Sequence, residues 1–190
     1  MGATWVAISD RDASVPLHAI TLSSDRRSHE PARRWRMPQV RARSHRLRIG
    51  RFSKPGWVYL VTFTTFDRLP FFADFGDART TSRTLAAPSS WPHARLLAWV
   101  LMPDHWHGLI ELGERESLSR SVARAKAQTC REWRRTHGND HLWAPGFHDH
   151  ALRSEEALLQ CARYIVLNPV RAGLVGRCAD YPFWDAVWLP

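Results

Sequence analysis

The sequence predicts an α+β protein in which α-helices pack against an antiparallel β-sheet. Three observations carry that reading. Residues 56–64 (GWVYLVTFT) form a run of aromatic and β-branched side chains, as a strand requires. Residues 94–102 and 105–112 are two more apolar stretches separated only by Pro103-Asp104, a connection short enough to make them antiparallel neighbours. Residues 116–136 repeat apolar side chains at helical spacing. Leu118, Val122, Ala125, Thr129 and Trp133 share one face, while Arg115, Arg124, Lys126, Arg131, Arg134 and Arg135 decorate the rest.

The other elements follow in order. Residues 73–86 are a weak helix candidate, and Pro88 and Pro92 bracket a loop after it. Gly138 is placed to stop the long helix. Residues 142–152 read as irregular with a piece of strand. Ser154 followed by Glu155, Glu156 and Ala157 is an N-cap signal. The helix it opens runs to about Leu167 and breaks before Pro169. Residues 170–190 read as a short tail with several aromatics. The resulting order is β, α, β, β, α, β, α, an antiparallel sheet with helices on it.

Length and charge divide the chain. Its 190 residues, 44% hydrophobic and 24% charged, suffice for one soluble domain with a real core and some additional sequence. Residues 1–36 show no sustained period and read as disordered, or as an extension ahead of a true start at Met37. Residues 37–54 are a basic arm with six Lys/Arg and no acidic residue, and residues 55–190 form the folded domain. The net charge of +9 is concentrated at the front: residues 1–54 carry 12 Lys/Arg against 4 Asp/Glu, whereas 55–190 carry 15 against 14. A polyanion is the usual partner of such an excess. Arg41, Arg43, Arg46, Arg48, Arg51 and Lys54 are therefore candidate phosphate contacts, against the plainer reading of a solvated tail. His45 and Phe52 interleave with them, as stacking on single-stranded bases would need. Cys130, Cys161 and Cys178 have no metal-like spacing and are odd in number, which fits a reducing cytoplasm. No signal peptide and no stretch near the roughly 20 apolar residues of a membrane span is visible, so a membrane role is not expected.

Two constellations could carry chemistry. On a strand, residues two apart point the same way, so His105 and His107 leave one face close enough to share a metal ion, with Trp106 turned to the other face. Two ordinary histidines beside a turn are an equally good reading of that triplet alone. Tyr164 and Asn168 are four apart on a predicted helix and hence neighbours, although a helical tyrosine is far more often a core residue and an asparagine before proline a cap. Taken together they make a chemical proposal. A divalent cation held by two imidazoles and an amide oxygen leaves positions open for a phosphate. A tyrosine hydroxyl, with a reference pKa of about 10, needs help to attack it. His148, Asp149 and His150 form a further polar cluster that could approach the site or bind DNA but reads more simply as surface, and Arg153 and Arg171 flank the last helix as candidate phosphate contacts.

The stretch WVLMPDHWHGLIEL, followed by YIVLNPVRAGLV, resembles the REP-associated tyrosine transposases, part of the wider single-tyrosine HUH transposase group. The likeness spans roughly residues 44–184 and includes LRIGRFSKPGWVYLVTFTTFDRLPFF and WAPGFHDHALR; residues 1–36 lie outside it. It implies the HUH endonuclease form of a ferredoxin-like architecture, with His105, His107 and Asn168 as metal ligands and Tyr164 as nucleophile. It further implies Mg²⁺ or Mn²⁺ as cofactor, a 5′-phosphotyrosine intermediate, and single-stranded or hairpin DNA of the repetitive extragenic palindrome type as partner. A monomer or homodimer in the cytoplasm, associated with the nucleoid, completes the expectation. Two other readings stand beside it: a catalytically inactive DNA-binding protein descended from a transposase, and a metal-dependent hydrolase that uses water in place of Tyr164.

Overall fold

Strict alternation along two strands sets the architecture. In β1 (Val58–Thr64), Tyr59, Val61 and Phe63 turn to one face and Leu60 and Thr62 to the other. In β3 (His105–Leu112), Trp106, Ile110 and Leu112 join the first face, and Leu109, His105 and His107 the second. The computed structural model describes residues 53–139, 141–152 and 155–188. With β2 (Ala94–Met102), β4 (His148–Leu152) and β5 (Trp184–Ala186) the strands form one antiparallel sheet in the order β4-β1-β3-β2-β5. The first four strands and the helices between them follow the predicted β-α-β-β-α-β sequence of a ferredoxin-like fold. All described residues belong to the compact unit 42–190.

The first face is covered by α1 (Phe75–Ala86) and α2 (Leu118–His137). The predicted apolar stripe of α2 is the buried one: Leu118, Val122, Ala125, Thr129 and Trp133 all point inward. Two of its basic residues do more than decorate the surface. Arg124 pairs with the buried Glu116 carboxylate at 2.6 Å, and Lys126 Nζ donates to the carbonyls of Ala144 and Gly146 at 2.7 and 2.8 Å. Burial pushes the Lys126 ammonium down to about 8. Gly138 ends α2 in the left-handed conformation, as predicted. The weak candidate α1 forms a full twelve-residue helix because Asp74 caps it, accepting from the Asp77 amide at 2.9 Å. It stops just before Pro88, which opens a 3₁₀ turn.

At the centre of this face lies Trp106, fully buried and stacked between Phe63 and Trp91 at 4.8 and 5.8 Å. Its indole folds flat over Gly108, where an added Cβ would stand 2.0 Å from the ring. Glycine at 108 is therefore a space requirement, and it comes immediately after His107.

The second face carries α3 (Glu155–Val166), which lays Ala162, Ile165 and Val166 on Leu60, Val100, Leu109 and Ala186. The expected cap Ser154 lies outside the described residues. Two expectations need correcting here. Tyr164 and Asn168 do not share one helix: the chain breaks at Leu167, and Asn168 opens a separate turn, α4 (Asn168–Arg171). Pro169 is the cause, since it has no N–H to continue the ladder and its ring crowds the preceding turn. The tail, in turn, is part of the sheet. The Tyr181 hydroxyl donates to the Leu101 carbonyl at 2.6 Å, the Trp184 indole donates to the Cys178 carbonyl at 2.8 Å, and residues 184–186 pair with β2 as an edge strand. Three residues are too few for periodicity to reveal them. Among the described residues no helix is long and apolar enough to cross a membrane.

Gly108→Ala is expected to lower stability by about 1–3 kcal/mol through overpacking against Trp106. Urea unfolding followed by tryptophan fluorescence measures it, and an unchanged midpoint would show that the ring relaxes freely.

Candidate functional site

The site is built on the second face of the sheet, where β3 passes under the end of α3. Register puts His105 opposite Thr64 and His107 opposite Thr62. The two imidazoles stand 4.7 Å apart, ring centroid to ring centroid, as the His-x-His spacing predicts. Each has its Nδ1 engaged. His107 Nδ1 meets the Thr62 hydroxyl at 2.6 Å, and His105 Nδ1 meets the Asp104 carboxylate at 2.5 Å. Those partners orient the rings and leave Nε2 of each for a metal, the usual arrangement behind a ligating histidine. Burial, helped by the nearby His105, pushes the His107 imidazole down to about 3, so it stays neutral. A neutral imidazole is the ligand form.

Tyr164 hangs over this pair from α3. Its ring centroid is 6.2 Å from that of His107, and the Arg171 guanidinium stacks on it at 4.2 Å. Arg171 also contributes to the lowered His107 pKa, which places its charge within reach of the histidine pair. Asn168 stands on the same short turn as Arg171. Its side-chain Nδ2 is buried and has no hydrogen-bond partner. An amide can rotate to present oxygen in place of nitrogen. A buried amide with no partner costs free energy unless something else satisfies it. Among the described residues no cluster of three or more His, Cys, Asp or Glu is placed to hold a metal. Two imidazoles and an amide would together suit a hard or borderline divalent ion with open positions for phosphate oxygens.

Three further residues belong to the site and were not singled out from sequence. Thr62 is one of two threonines in β1, and only the register shows that it meets His107. Asp104 read as a turn residue, yet its carboxylate reaches both His105 and Arg68, the latter at 3.2 Å. Burial raises the Asp104 carboxyl, but the hydrogen bond and charge of His105 together with Arg68 outweigh it, holding its pKa below the usual carboxylate value. Arg68 follows Asp67 in a left-handed pair, with φ of 54° and 50°. For non-glycine residues that conformation costs about 1–2 kcal/mol each.

Other predicted site residues fall elsewhere. Lys54 lies beyond the far end of β1, its ammonium 4.9 Å from the centre of the Trp57 ring and its backbone N–H donating to the Tyr59 hydroxyl at 2.9 Å. From there to the histidine pair is roughly 20 Å along the strand. Arg41, Arg43, Arg46, Arg48, Arg51 and Arg153 lie outside the described residues. His148 and His150 are exposed on β4, opposite Thr62 and Leu60 and hence on the same face as His107. Two shallow clefts, of about 450 and 510 Å³, are lined by other residues, including His93 and Glu111 in one and Arg83 and Arg131 in the other. The histidine pair lines neither of these clefts.

The chain belongs to the IS200-like transposase family, whose sequence profile matches residues 58–167 and so takes in both histidines and Tyr164. More particularly, it is 31% identical over 90 residues to the REP-associated tyrosine transposase of Escherichia coli K12, covering 45% of this chain and 50% of that one. It thus spans about half the length of the curated relatives it matches. Its fold superposes on a REP-associated tyrosine transposase solved bound to a REP hairpin, with a TM-score of 0.57 and 25% identity over 70% of this chain and 79% of that one.

The His107 shift has a sign that can be tested. Its folded pKa is about 3 against an unfolded value near 6.5, so its contribution to stability is complete above pH 6.5 and is lost as pH falls toward 3. Stability from urea unfolding should fall across that window in wild type and fall less in His107→Gln. Equal slopes would mean that His107 is not held neutral by burial.

Proposed function

We propose that the protein is a metal-dependent single-tyrosine transposase that nicks and rejoins single-stranded or hairpin DNA. The placement of the Tyr164 ring 6.2 Å from His107, on the face that carries His105, is the observation that supports this most directly. In this reading His105 and His107, through Nε2, and the Asn168 amide hold Mg²⁺ or Mn²⁺. When bound, that ion polarises the scissile phosphodiester and offsets the charge of the transition state. Arg171, already stacked on Tyr164, receives a phosphate oxygen and keeps the phenol ring over the sheet. The Tyr164 oxygen attacks phosphorus, and the bond from phosphorus to the 3′ oxygen breaks. The phenolic proton ends on the released 3′-hydroxyl, and the 5′ side of the nick stays on Tyr164 as a phosphotyrosine. The phosphodiester is thereby conserved, so attack by another 3′-hydroxyl reseals a strand without ATP.

The relative solved with a REP hairpin makes a palindromic hairpin the first DNA to try. Residues 37–54 supply the non-specific attraction to phosphate, and the protein acts in the cytoplasm on the nucleoid as a monomer or homodimer.

Incubation with labelled REP-type hairpin DNA and Mn²⁺, followed by a denaturing gel, tests the proposal. Wild type should give a covalent adduct; Tyr164→Phe and chelated protein should give none. Cleavage that survives Tyr164→Phe would establish a hydrolase using water, and binding without any cleavage would establish an inactive DNA-binding protein. Deleting residues 1–51 should weaken DNA binding and flatten its salt dependence, each lost phosphate contact removing about 0.7 from the logarithmic slope on single strands. Circular dichroism of that truncation should match wild type, and an unfolded spectrum would make the arm structural.

A further inference from the structure

The β2–β3 turn is bound to the segment after β1 by more contacts than a turn requires. The Thr65 amide and hydroxyl both donate to the Asp104 carbonyl, at 2.9 and 3.0 Å, and the Thr65 hydroxyl also donates to the Leu69 carbonyl at 2.7 Å. The Phe72 amide donates to the Pro103 carbonyl at 3.0 Å. Between these anchors Asp67 and Arg68 are both left-handed. What this conformation achieves is to aim Arg68 at the outer oxygen of Asp104, whose other oxygen holds His105. The Arg68 side chain is 68% exposed and that of Asp104 27%, so their ion pair adds little to the stability of the fold. Strained backbone that secures so small a stabilising contact beside a reactive site points to a positioning role.

We infer that Arg68 and Asp104 are positioning residues that orient His105 for metal binding, through a guanidinium–carboxylate–imidazole chain. This rests on the proposed metal site. Asp104 accepts the Nδ1–H of His105, fixes the tautomer that leaves Nε2 for the ion, and raises its basicity. Arg68 keeps the carboxylate turned toward the ring. Thr62 serves His107 on the next position of the same face, with a neutral hydroxyl where His105 has a charged carboxylate. The two ligands are therefore unequal, and His105 is the one whose orientation is under electrostatic control.

The test is Mn²⁺ affinity of the full chain, measured by electron paramagnetic resonance without DNA, alongside the melting temperature of the metal-free protein. Asp104→Asn keeps the shape and turn preference of the side chain and removes its charge. It should weaken Mn²⁺ binding by roughly 10–100-fold, with the metal-free protein still folded and its melting temperature lowered only slightly. Arg68→Ala, at an exposed side chain, should weaken it by roughly 2–5-fold, and Arg68→Lys should restore it. This second pair of variants decides the matter if Asp104→Asn folds poorly. Mn²⁺ affinity equal to wild type in both Asp104→Asn and Arg68→Ala overturns the inference, as does loss of DNA binding in Arg68→Ala with unchanged Mn²⁺ affinity, which would make Arg68 a phosphate contact. A wild type that takes up no Mn²⁺ overturns the proposed metal site as well.

Discussion

The register of β3 against β1 is the constraint on which the rest of the site depends. It places Thr62 opposite His107 and Thr64 opposite His105, and by the same alternation drives Trp106 into the opposite core. A slip of one residue would turn the indole to the face under α3 and bury both imidazoles among α1 and α2. Truncating a buried tryptophan costs about 3–5 kcal/mol, so Trp106 makes such a slip prohibitive. Gly108 completes the lock, because only a residue without a Cβ lets the indole lie flat over the strand. The packing of one face thus secures the chemistry of the other.

That division of labour explains what was legible in the sequence. The alternation of His105, Trp106 and His107 shows both faces directly, and the stripe from Leu118 to Trp133 shows the helix that closes the first core. The link between Tyr164 and Asn168 was read as helical spacing, and Pro169 breaks it; Asn168 opens a separate short turn. Asp104 and Thr62 looked like an ordinary turn residue and an ordinary strand residue, because their partners Arg68 and His107 lie 36 and 45 positions away and only tertiary pairing selects them. The fifth strand was hidden because its three residues are held by Tyr181 and Trp184 bonding to distant or local carbonyls, which leave no periodic trace.

Electrostatics separates the two halves of the polypeptide. Residues 55–190 are close to neutral, and among the described residues Arg171 on Tyr164 and Arg68 on Asp104 are the cations in contact with groups of the site. The excess positive charge precedes residue 55. Lys54, where that arm meets the sheet, stands at the end of β1 remote from the histidines. In the proposed function, attraction to a nucleic acid and reaction on it fall to different parts of the chain: the first to phosphate contacts of the basic segment, the second to a few groups positioned by the sheet.

The central claim is that His105, His107 and Asn168 hold one divalent ion beneath Tyr164. Anomalous diffraction from crystals soaked in Mn²⁺ tests it most directly. The account predicts a single strong peak bonded to Nε2 of both histidines, with the Asn168 amide turned to present its oxygen. A peak at Nδ1, at His148 or His150, or absent from the histidine pair altogether would contradict it.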